Sequence, residues 1–347
     1  MNDTHLEDLM AASVEHLESE FYSKKFCFSY SSLNKLLWNP AVFYQMYVIG
    51  LKEEKLDSHL VQGKVIHALL LEETKFNDQF IISPDTLPNG NLRTVVDRVF
   101  AHYTANKDSY AAIGVTGLNQ LSNEILDAMK EINYHQSLKT DQQRLDKVLV
   151  NEAFNYWNFL MLKGNKTLID QETYDFCKGA VDIVKANPKI CKLIACAQTE
   201  FDNLEVYNEV TLEVGIPSKP YGLKGIIDNV VINHDEKVIY INDLKTSSKD
   251  LKDWPESLEF YSYWLQAAIY VTLVTMHHAA LVDRGYDVKF HFVVIDRTFQ
   301  TYAFPVSEPT LSGWIDRLRE SLDIADWHYI NKSYELPYQF AQGLVTL

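Results

Sequence analysis

The sequence has few cysteines, no long apolar run and no excess of positive charge. Its four cysteines (Cys27, Cys177, Cys191 and Cys196) lack the C-x-x-C spacing and nearby histidines of zinc sites, so we expect buried thiols without a metal or disulfide role. The chain contains no run of about 18 apolar residues and starts with an acidic, polar stretch, which predicts neither a membrane span nor a secretory signal. We therefore expect a cytoplasmic protein without a membrane partner.

The charge balance argues against a strongly basic, nucleic-acid-binding protein. Lys and Arg number 32 against 47 Asp and Glu, for a formal net charge of −15, whereas DNA binding relies on neutralising phosphates. The stretch from Lys219 to Lys252 differs, because it has six lysines against five acids. A nearly neutral segment within an otherwise acidic protein is compatible with weak, salt-sensitive DNA binding in which a metal ion bridges to the phosphates.

The hydrophobic pattern changes along the chain from helical to strand-like. Arg93 to about Ala186 reads as a run of helices, and its aromatic cluster AFNYWNFL is spaced as a packing face. From Glu200 onwards, the segments EVYNEVTLEV, GLKGIIDNVVI and KVIYINDLK are rich in β-branched residues and tyrosine, as strands are. A helix from Ser257 to about Arg284, two further strands and a last helix capped by Ser307 follow. These patterns predict an α/β fold.

Two of the predicted strands carry one aspartate each. If Asn233 to Glu236 connect them as a hairpin, the numbers of opposite residues sum to 469, and Asp228 faces Ile241. Side chains alternate along a strand, so Asp243 and Lys245 share the face of Asp228. Asp228 and Asp243 are then diagonal neighbours, about 7 Å apart at the backbone.

This pair of aspartates outlines a divalent-metal site. Two carboxylates on an apolar face repel each other and are costly to desolvate unless a cation lies between them. Hard oxygen ligands suit Mg²⁺ or Mn²⁺. Lys245 beside the ion could hold or polarise the attacking water, or offset charge that builds up in the transition state. The alternative is that the aspartates cap strand ends and the lysine is a solvated edge charge.

Two predicted helices direct polar side chains inward. On the helix from Ser58 to Glu73, His67 lies on the same stripe as Gly63, so it is either a core residue or a metal ligand. On the helix that starts at Ser257, Tyr263, Gln266 and Tyr270 share one face. Amide and phenol groups that face a metal pocket can hydrogen-bond water or phosphate.

Four short motifs occur in order: Gly63-x-x-x-His67, Gly225-x-x-Asp228, Asp243-Leu244-Lys245 and Gln266-x-x-x-Tyr270. In this order they resemble the RecB-like branch of the PD-(D/E)XK nucleases, and the chain looks most similar to the RecE-type (exonuclease VIII) proteins of phages and prophages. The stretch YSSLNKLLWNPAVFY is similar to their entry helices, and DLKTSSKD followed by an aromatic helix is similar to their core. The resemblance covers roughly Ser29 to Leu71 and Tyr207 to Val274.

The resemblance implies a PD-(D/E)XK restriction-endonuclease-like core, in which a mixed sheet is flanked by helices and a large α-helical insertion interrupts the chain. Residues 1–80 are expected to hold the N-terminal helices with the GxxxH motif, residues 81–198 the helical insertion, and residues 199–347 the core sheet and its flanking helices. Together these parts are expected to form one integrated nuclease domain.

The resemblance also implies a role for each motif residue. Asp228 and Asp243 are expected to bind metal, with Lys245 as the catalytic lysine. His67 is expected as a further metal ligand, and Gln266 and Tyr270 as catalytic-site residues that face the DNA. Glu209 stands where relatives carry an extra acid on the preceding strand and is carried over as a metal ligand. The second acidic position is Asp rather than the commoner Glu, which the family permits.

The expected cofactor is Mg²⁺ or Mn²⁺. Iron–sulfur members of the family place three cysteines after the Gln-x-x-x-Tyr helix, whereas this chain has no cysteine beyond Cys196. We therefore expect no iron–sulfur cluster.

The resemblance implies a metal-dependent exonuclease that acts on double-stranded DNA ends in phage-type recombination or repair, in the cytoplasm of a bacterial or phage-infected cell. Linear duplex DNA is the expected partner, and a single-strand annealing protein and a second copy of the chain are candidate partners. Two alternatives remain: a catalytically silent DNA-binding or partner-binding module of the same fold, and a nuclease for RNA or single-stranded flaps. Polarity, strand preference and oligomeric state stay open.

Overall fold

The computed structural model describes residues 14–51, 58–84, 86–196 and 203–345. The strands are β1 Cys27–Phe28, β2 Phe80–Ile82, β3 Thr167–Ile169, β4 Leu204–Gly215, β5 Gly222–Asn233, β6 Val238–Thr246, β7 Asp287–Ile295 and β8 Thr301–Pro305. The helices are α1 (14–23), α2 Tyr30–Trp38, α3 Pro40–Phe43, α4 Ser58–Leu71, α5 Phe76–Gln79, α6 Gly90–Ala105, α7 Lys107–Ala112, α8 Ser122–Glu131, α9 Asp141–Leu145, α10 Asn151–Lys163, α11 Gln171–Ala186, α12 Pro188–Ile194, α13 Glu256–Phe260, α14 Tyr263–His277, α15 Ala279–Val282, α16 Glu308–Asn331 and α17 Tyr338–Ala341. A π-helical segment, Tyr44–Val48, continues α3, and 3₁₀ turns lie at Glu73–Lys75 and Leu118–Gln120.

Within the described ranges, six strands form one mixed sheet. β5 pairs antiparallel with β4 along most of its length and with β6 over its second half, and β1 runs parallel to its start. β6 is parallel to β7, which is antiparallel to β8. Parallel neighbours need a long crossover, and the helices α13 to α15 provide it between β6 and β7. The predicted α/β fold, with a mixed sheet flanked by helices, is confirmed.

Helix α14 lies at the centre of the main core. Its sequence YWLQAAIYVTLVTMH is apolar on nearly every side, as expected of a helix that is buried all round. Leu265 and Ile269 on α14 belong to one continuous core with Phe290 and Phe292 of β7 and Leu318 of α16. The helix therefore holds the sheet and α16 together and carries its few polar groups into the interior.

The hairpin of β5 and β6 differs from the predicted register by two residues. Asn233 pairs with Val238, so opposite residues sum to 471, and Val230 rather than Asp228 faces Ile241. The turn explains the difference, because the Asn233 carboxamide accepts hydrogen bonds from the backbone N–H groups of residues 235 and 236, and residue 237 takes a left-handed φ of 53°. Continued by one residue beyond the last pair, this register puts Asp228 opposite Asp243 rather than diagonal to it.

The helix predicted from Ser257 to about Arg284 is wrong as a single element. It is divided at Ser262, which takes a left-handed φ of 55°, and again at His278, where α14 ends. The Tyr30 hydroxyl donates to the carbonyl oxygen of Tyr261 beside the first break. The predicted cap of the last helix is confirmed, because the Ser307 side chain accepts from the Thr310 N–H at 3.3 Å.

The chain divides into two compact units. One is Glu73–Lys178, and the other combines Met1–Glu72 with Gly179–Leu347. The unit Glu73–Lys178 is mainly helical, and the predicted aromatic packing face lies in its core, where Trp157 is buried. It also contains a short parallel pair of β2 with β3, which the sequence patterns did not predict. The domain boundaries expected at residues 80 and 198 stay predictions.

None of the four cysteines forms a disulfide bond. Cys27, Cys177 and Cys191 are buried as expected, but Cys196 is only half-buried, with its Sγ atom 2.9 Å from that of Cys191. Burial raises the pKa of Cys177 to about 12, which keeps its thiol protonated and unreactive near neutral pH. Among the described helices, none combines the length and apolarity needed to cross a bilayer.

Candidate active site

Three neighbouring strands bring one acid each to the same row of the sheet. Asn208 of β4 pairs with Asn229 of β5, which pairs with Asn242 of β6. The next row along these antiparallel strands consists of three acids: Glu209, Asp228 and Asp243. The site is therefore built on three adjacent strands, which hold their side chains at fixed spacing.

His67 on α4 turns its imidazole toward two of these acids. Its Nδ1 atom lies 3.4 Å from Oε1 of Glu209 and 3.7 Å from Oδ1 of Asp228. Its Nε2 atom lies 3.3 Å from the carbonyl oxygen of Leu244. Because that carbonyl can only accept, the Nε2–H donates to it, and in the neutral ring the lone pair of Nδ1 faces the acids.

His67, Glu209 and Asp228 form the candidate metal cluster. One ligand atom of each lies within 4.8 Å of the other two. Asp228 is also tied to β6, because its Oδ2 atom accepts a hydrogen bond from the backbone N–H of Leu244 at 2.7 Å. Leu244 thus links Asp228 and His67 through its own N–H and C=O groups.

Glu209 reaches the metal cluster through a distorted backbone. Its φ of 48° lies in the left-handed region although the residue stands in the middle of β4. Regular pairing with β5 is present on both sides, at Asn208 and Val210. A non-glycine residue in this conformation costs about 1–3 kcal/mol, and such strain is concentrated at functional sites. The distortion is confined to the residue whose carboxylate faces His67.

Asp243 and Lys245 form an ion pair beside the metal cluster. Asp243 is fully buried and Lys245 is largely buried. The ammonium of Lys245 also lies 4.9 Å from the centre of the Tyr263 ring, within the range of a cation–π interaction. An anion on one side and an aromatic face on the other therefore hold the ammonium.

Gln266 and Tyr270 approach the site from α14. The Gln266 amide donates to the Tyr270 hydroxyl at 3.0 Å, and both side chains are buried. Gly225 on β5 leaves the space for this ring, because a Cβ atom there would lie 2.8 Å from Cε1 of Tyr270. Burial, with Asp243 and Asp228 nearby, raises the pKa of Tyr270, so its phenol stays protonated. The glycine of the Gly225-x-x-Asp228 motif thus allows the helix to approach the acids closely.

The site retains protons because its acids outnumber its cations. Burial lowers the pKa of His67, but the carboxylates of Asp228 and Glu209 outweigh that effect and raise the pKa to about 8. Burial raises the pKa of Asp243 despite the neighbouring ammonium. Burial also opposes the charge of Lys245, yet Asp243 and Asp228 prevail and raise its pKa. Lys245 is therefore protonated at neutral pH.

The donor set fits a divalent metal ion. The metal cluster offers one imidazole nitrogen and two carboxylate oxygens. Within the described part of the chain, Oδ1 of Asp243 is a buried oxygen with no hydrogen-bond partner, an arrangement that is costly unless a ligand completes it. Carboxylates with one imidazole suit a hard to intermediate ion such as Mg²⁺ or Mn²⁺. His67, Glu209, Asp228 and Asp243 are the residues that would hold it.

Behind the acids, three asparagines form a continuous hydrogen-bonded row, which we call the asparagine ladder. Asn242 donates to Asn229 at 2.7 Å, and Asn229 donates to Asn208 at 2.8 Å. Each asparagine also donates to a carbonyl group at a helix end: Asn208 to Leu71 of α4 at 2.9 Å, Asn229 to Ile194 of α12 at 3.0 Å, and Asn242 to Leu193 of α12 at 3.2 Å. Asn229 and Asn242 are fully buried.

The structure places all the predicted site residues in one region. The metal cluster contains Glu209 as well as His67 and Asp228, while Asp243 pairs with Lys245 beside it. The sequence interpretation missed the asparagine ladder and the contact of Tyr263 with Lys245. A signal for the ladder was present, since each acid has an asparagine as a direct neighbour, in Asn208-Glu209, Asp228-Asn229 and Asn242-Asp243.

Comparison with known proteins identifies the family. The model of the PD-(D/E)XK nuclease superfamily matches residues 27–320, and the chain belongs to this superfamily, whose members use divalent metal ions. A solved structure of a "Putative exonuclease" from Eubacterium rectale is similar over 91% of this chain and 85% of its own, with 10% identity and a TM-score of 0.46. The structure of SSO0001 is similar over 49% of this chain and 67% of its own, with 17% identity and a TM-score of 0.25. No curated protein matches the chain.

Proposed function

We propose that this protein is a metal-dependent deoxyribonuclease that hydrolyses duplex DNA from its ends. The observation that carries the proposal is the convergence of His67, Glu209 and Asp228 beside the ion pair of Asp243 and Lys245. Membership of a nuclease superfamily supports the chemistry. The preference for an exonuclease of phage-type recombination or repair rests on the resemblance to the RecE-type proteins.

The side chains of the site have separable tasks. A divalent cation, when bound, would offset charge on the phosphate and lower the pKa of a bound water. His67 keeps its Nδ1 atom directed at Glu209 and Asp228, because its Nε2–H donates to the carbonyl oxygen of Leu244. Lys245, fixed by Asp243 and Tyr263, either holds the attacking water or offsets charge that develops on the phosphate. The Tyr270 phenol and the Gln266 amide are donors for water or phosphate oxygen.

Metal binding is expected to weaken as the pH falls below about 8. Below its raised pKa of about 8, His67 is protonated, and a proton on Nδ1 competes with the metal for the same lone pair. The apparent affinity for Mn²⁺ should therefore fall by up to about tenfold per pH unit, and protonation of Asp243 should add to the loss at lower pH. Mn²⁺ should also bind more tightly than Mg²⁺, because imidazole nitrogen suits the softer ion.

Calorimetric titration with Mn²⁺ between about pH 6 and about pH 9 measures this dependence. The variant His67→Gln is the control. It should bind Mn²⁺ weakly at every pH, and its affinity should not change around pH 8, where His67 titrates. A wild-type affinity that stays constant over this range would show that His67 does not bind the metal.

DNA cleavage is expected to require both a divalent metal and a DNA end. End-labelled linear duplex should be degraded to small products, while supercoiled circles in the same tube persist, because an exonuclease engages only a terminus. The measurement is gel analysis with Mg²⁺, with Mn²⁺ and with a chelator. Rapid nicking or linearisation of the circles would show an endonuclease. Cleavage restricted to RNA or to single-stranded flaps would favour that alternative, and no cleavage of any substrate would favour a silent binding module.

A further inference from the structure

We propose that the asparagine ladder holds the metal ligands at their spacing, which makes Asn208, Asn229 and Asn242 positioning residues. This inference rests on the proposed function, because it concerns the same metal cluster. The ladder touches none of the ligand atoms. It lies one residue away from them, and it acts through the backbone of three strands and one helix.

Every expected metal ligand is close in sequence to a contact of the ladder. Glu209 directly follows Asn208, Asp228 directly precedes Asn229, and Asp243 directly follows Asn242. His67 belongs to the same arrangement through α4, because the carbonyl group that accepts from Asn208 is that of Leu71, one helical turn after His67. A single chain of hydrogen bonds thus connects all four elements that supply ligands.

The ladder lies where the regular strand pairing lapses. The pairs of β5 with β6 end at Asn229 with Asn242, and the pairing of β4 with β5 omits Glu209 and Asp228. The row of asparagines is therefore the last row that the three strands share before the acids. The row of acids itself lacks regular backbone pairing, so the side-chain amides of the ladder add a lateral link between the strands directly beside it. They act together with the pairing that resumes at Val210 with Ile227 and with the hydrogen bond from Leu244 to Asp228.

Amide side chains hold neighbouring strands at a fixed spacing better than apolar side chains would in the same positions. A buried amide is costly unless it is hydrogen-bonded, and both Nδ2 hydrogens of Asn229 and of Asn242 are used. Each carboxamide then has one orientation, whereas aliphatic side chains pack in several. Every amide hydrogen of Asn229 and Asn242 is paired, and within the described residues the Oδ1 atom of Asn242 is the ladder oxygen without a hydrogen-bond partner. Buried side-chain networks with such pairing favour one arrangement of the core.

Capping of α12 alone does not account for the ladder. Asn229 and Asn242 do satisfy two carbonyl groups in the last turn of α12, which would otherwise lack partners within the helix. Three hydrogen bonds of the ladder do not involve these carbonyl groups. Two of them join the asparagines to one another, and the third joins Asn208 to α4. They run across the sheet, along the row next to the acids.

The test is the double variant Asn229→Leu/Asn242→Leu, in which apolar groups of similar shape replace both partners of one link. The control is Tyr221→Phe, which removes another buried hydrogen bond to a helical carbonyl group, that of Leu322 at 2.9 Å. We expect the double variant to bind Mn²⁺ about 10- to 100-fold more weakly, as is typical when groups that orient metal ligands are removed. Its Mn²⁺ electron paramagnetic resonance spectrum should broaden, and kcat should fall while KM for DNA stays unchanged. Tyr221→Phe should change only the melting temperature.

Asn208→Leu provides a second measurement, which stays informative if the double variant does not fold. It leaves the caps of α12 in place but removes both the link to α4 and the acceptor of the Asn229 amide. It should also weaken Mn²⁺ binding. Wild-type Mn²⁺ affinity and spectrum in the folded ladder variants would overturn the proposal. If the wild type binds Mn²⁺ in a ladder-dependent way but cuts no DNA, the proposed function fails and the ladder proposal stands. If the wild type cuts DNA and the ladder variants bind Mn²⁺ as tightly as Tyr221→Phe does, the ladder proposal fails and the proposed function stands.

Discussion

Replacing Lys245 with alanine should reduce DNA cleavage by at least about 10²-fold while DNA binding survives. The ammonium is positioned by Asp243 and by the ring of Tyr263, and its raised pKa keeps it charged at neutral pH. Its loss removes a group that acts on the transition state but no metal ligand. Affinity for Mn²⁺ should be kept or should rise, because a positive charge that repels the metal has gone. Single-turnover cleavage, calorimetry and a DNA-binding titration measure the three quantities.

Lys249→Ala is the matched control for this prediction. Lys249 lies four residues further along the chain, and its ammonium pairs with Glu256 at 3.0 Å on the surface. Surface pairs of this kind contribute little, so the control should cleave DNA at nearly the wild-type rate. Equal rates for wild type and Lys245→Ala would mean that the lysine serves only to neutralise Asp243.

Asp228→Asn should abolish both metal binding and cleavage while the protein stays folded. An asparagine oxygen at this position can still accept the hydrogen bond from Leu244, so the geometry is preserved and only the charge is lost. Mn²⁺ affinity should fall by more than the roughly 10- to 100-fold that is typical of groups outside the coordination sphere. Because Asp228 is the foremost of the groups that raise the pKa of His67, that pKa should also fall, which NMR titration can follow without any metal.

Asp296→Asn is the corresponding control. Asp296 is also a buried aspartate, but its carboxylate accepts hydrogen bonds from a loop, at Thr298 and Gln300, and it lies outside the metal cluster. Its substitution should lower the melting temperature and leave Mn²⁺ affinity unchanged. If Asp228→Asn binds Mn²⁺ with wild-type affinity, Asp228 is not a metal ligand, and the proposed chemistry loses its main support.

The proximity of Asp228 and Asp243 could be predicted because it depends on a short hairpin and on alternation. The predicted register was wrong by two residues, yet the two aspartates still meet, since a shift of two keeps every side chain on its own face. A shift of one residue would have separated them. The α/β class followed equally directly from the change of period near Glu200, and the burial of Trp157 from the aromatic spacing around it.

Other features depend on contacts that no local pattern contains. The left-handed backbone of Glu209 is imposed by its neighbours in the sheet, because nothing in the residue type favours it. The asparagine ladder requires the registers of three strands at once, and the break at Ser262 interrupts an otherwise continuous helical pattern. The short pairing of β2 with β3 joins segments that lie far apart in the sequence. Sequence patterns alone cannot supply such long-range information.

The candidate active site is completed late in the synthesis of the chain. His67 is made early, but the acids that complete its surroundings lie beyond the whole of the unit Glu73–Lys178. Chains emerge from the ribosome N-terminus first, so a growing chain has no metal site until β4, β5 and β6 have all left the exit tunnel and paired. If the protein cleaves DNA as we propose, an incomplete copy that lacks these strands would therefore have no cleavage site.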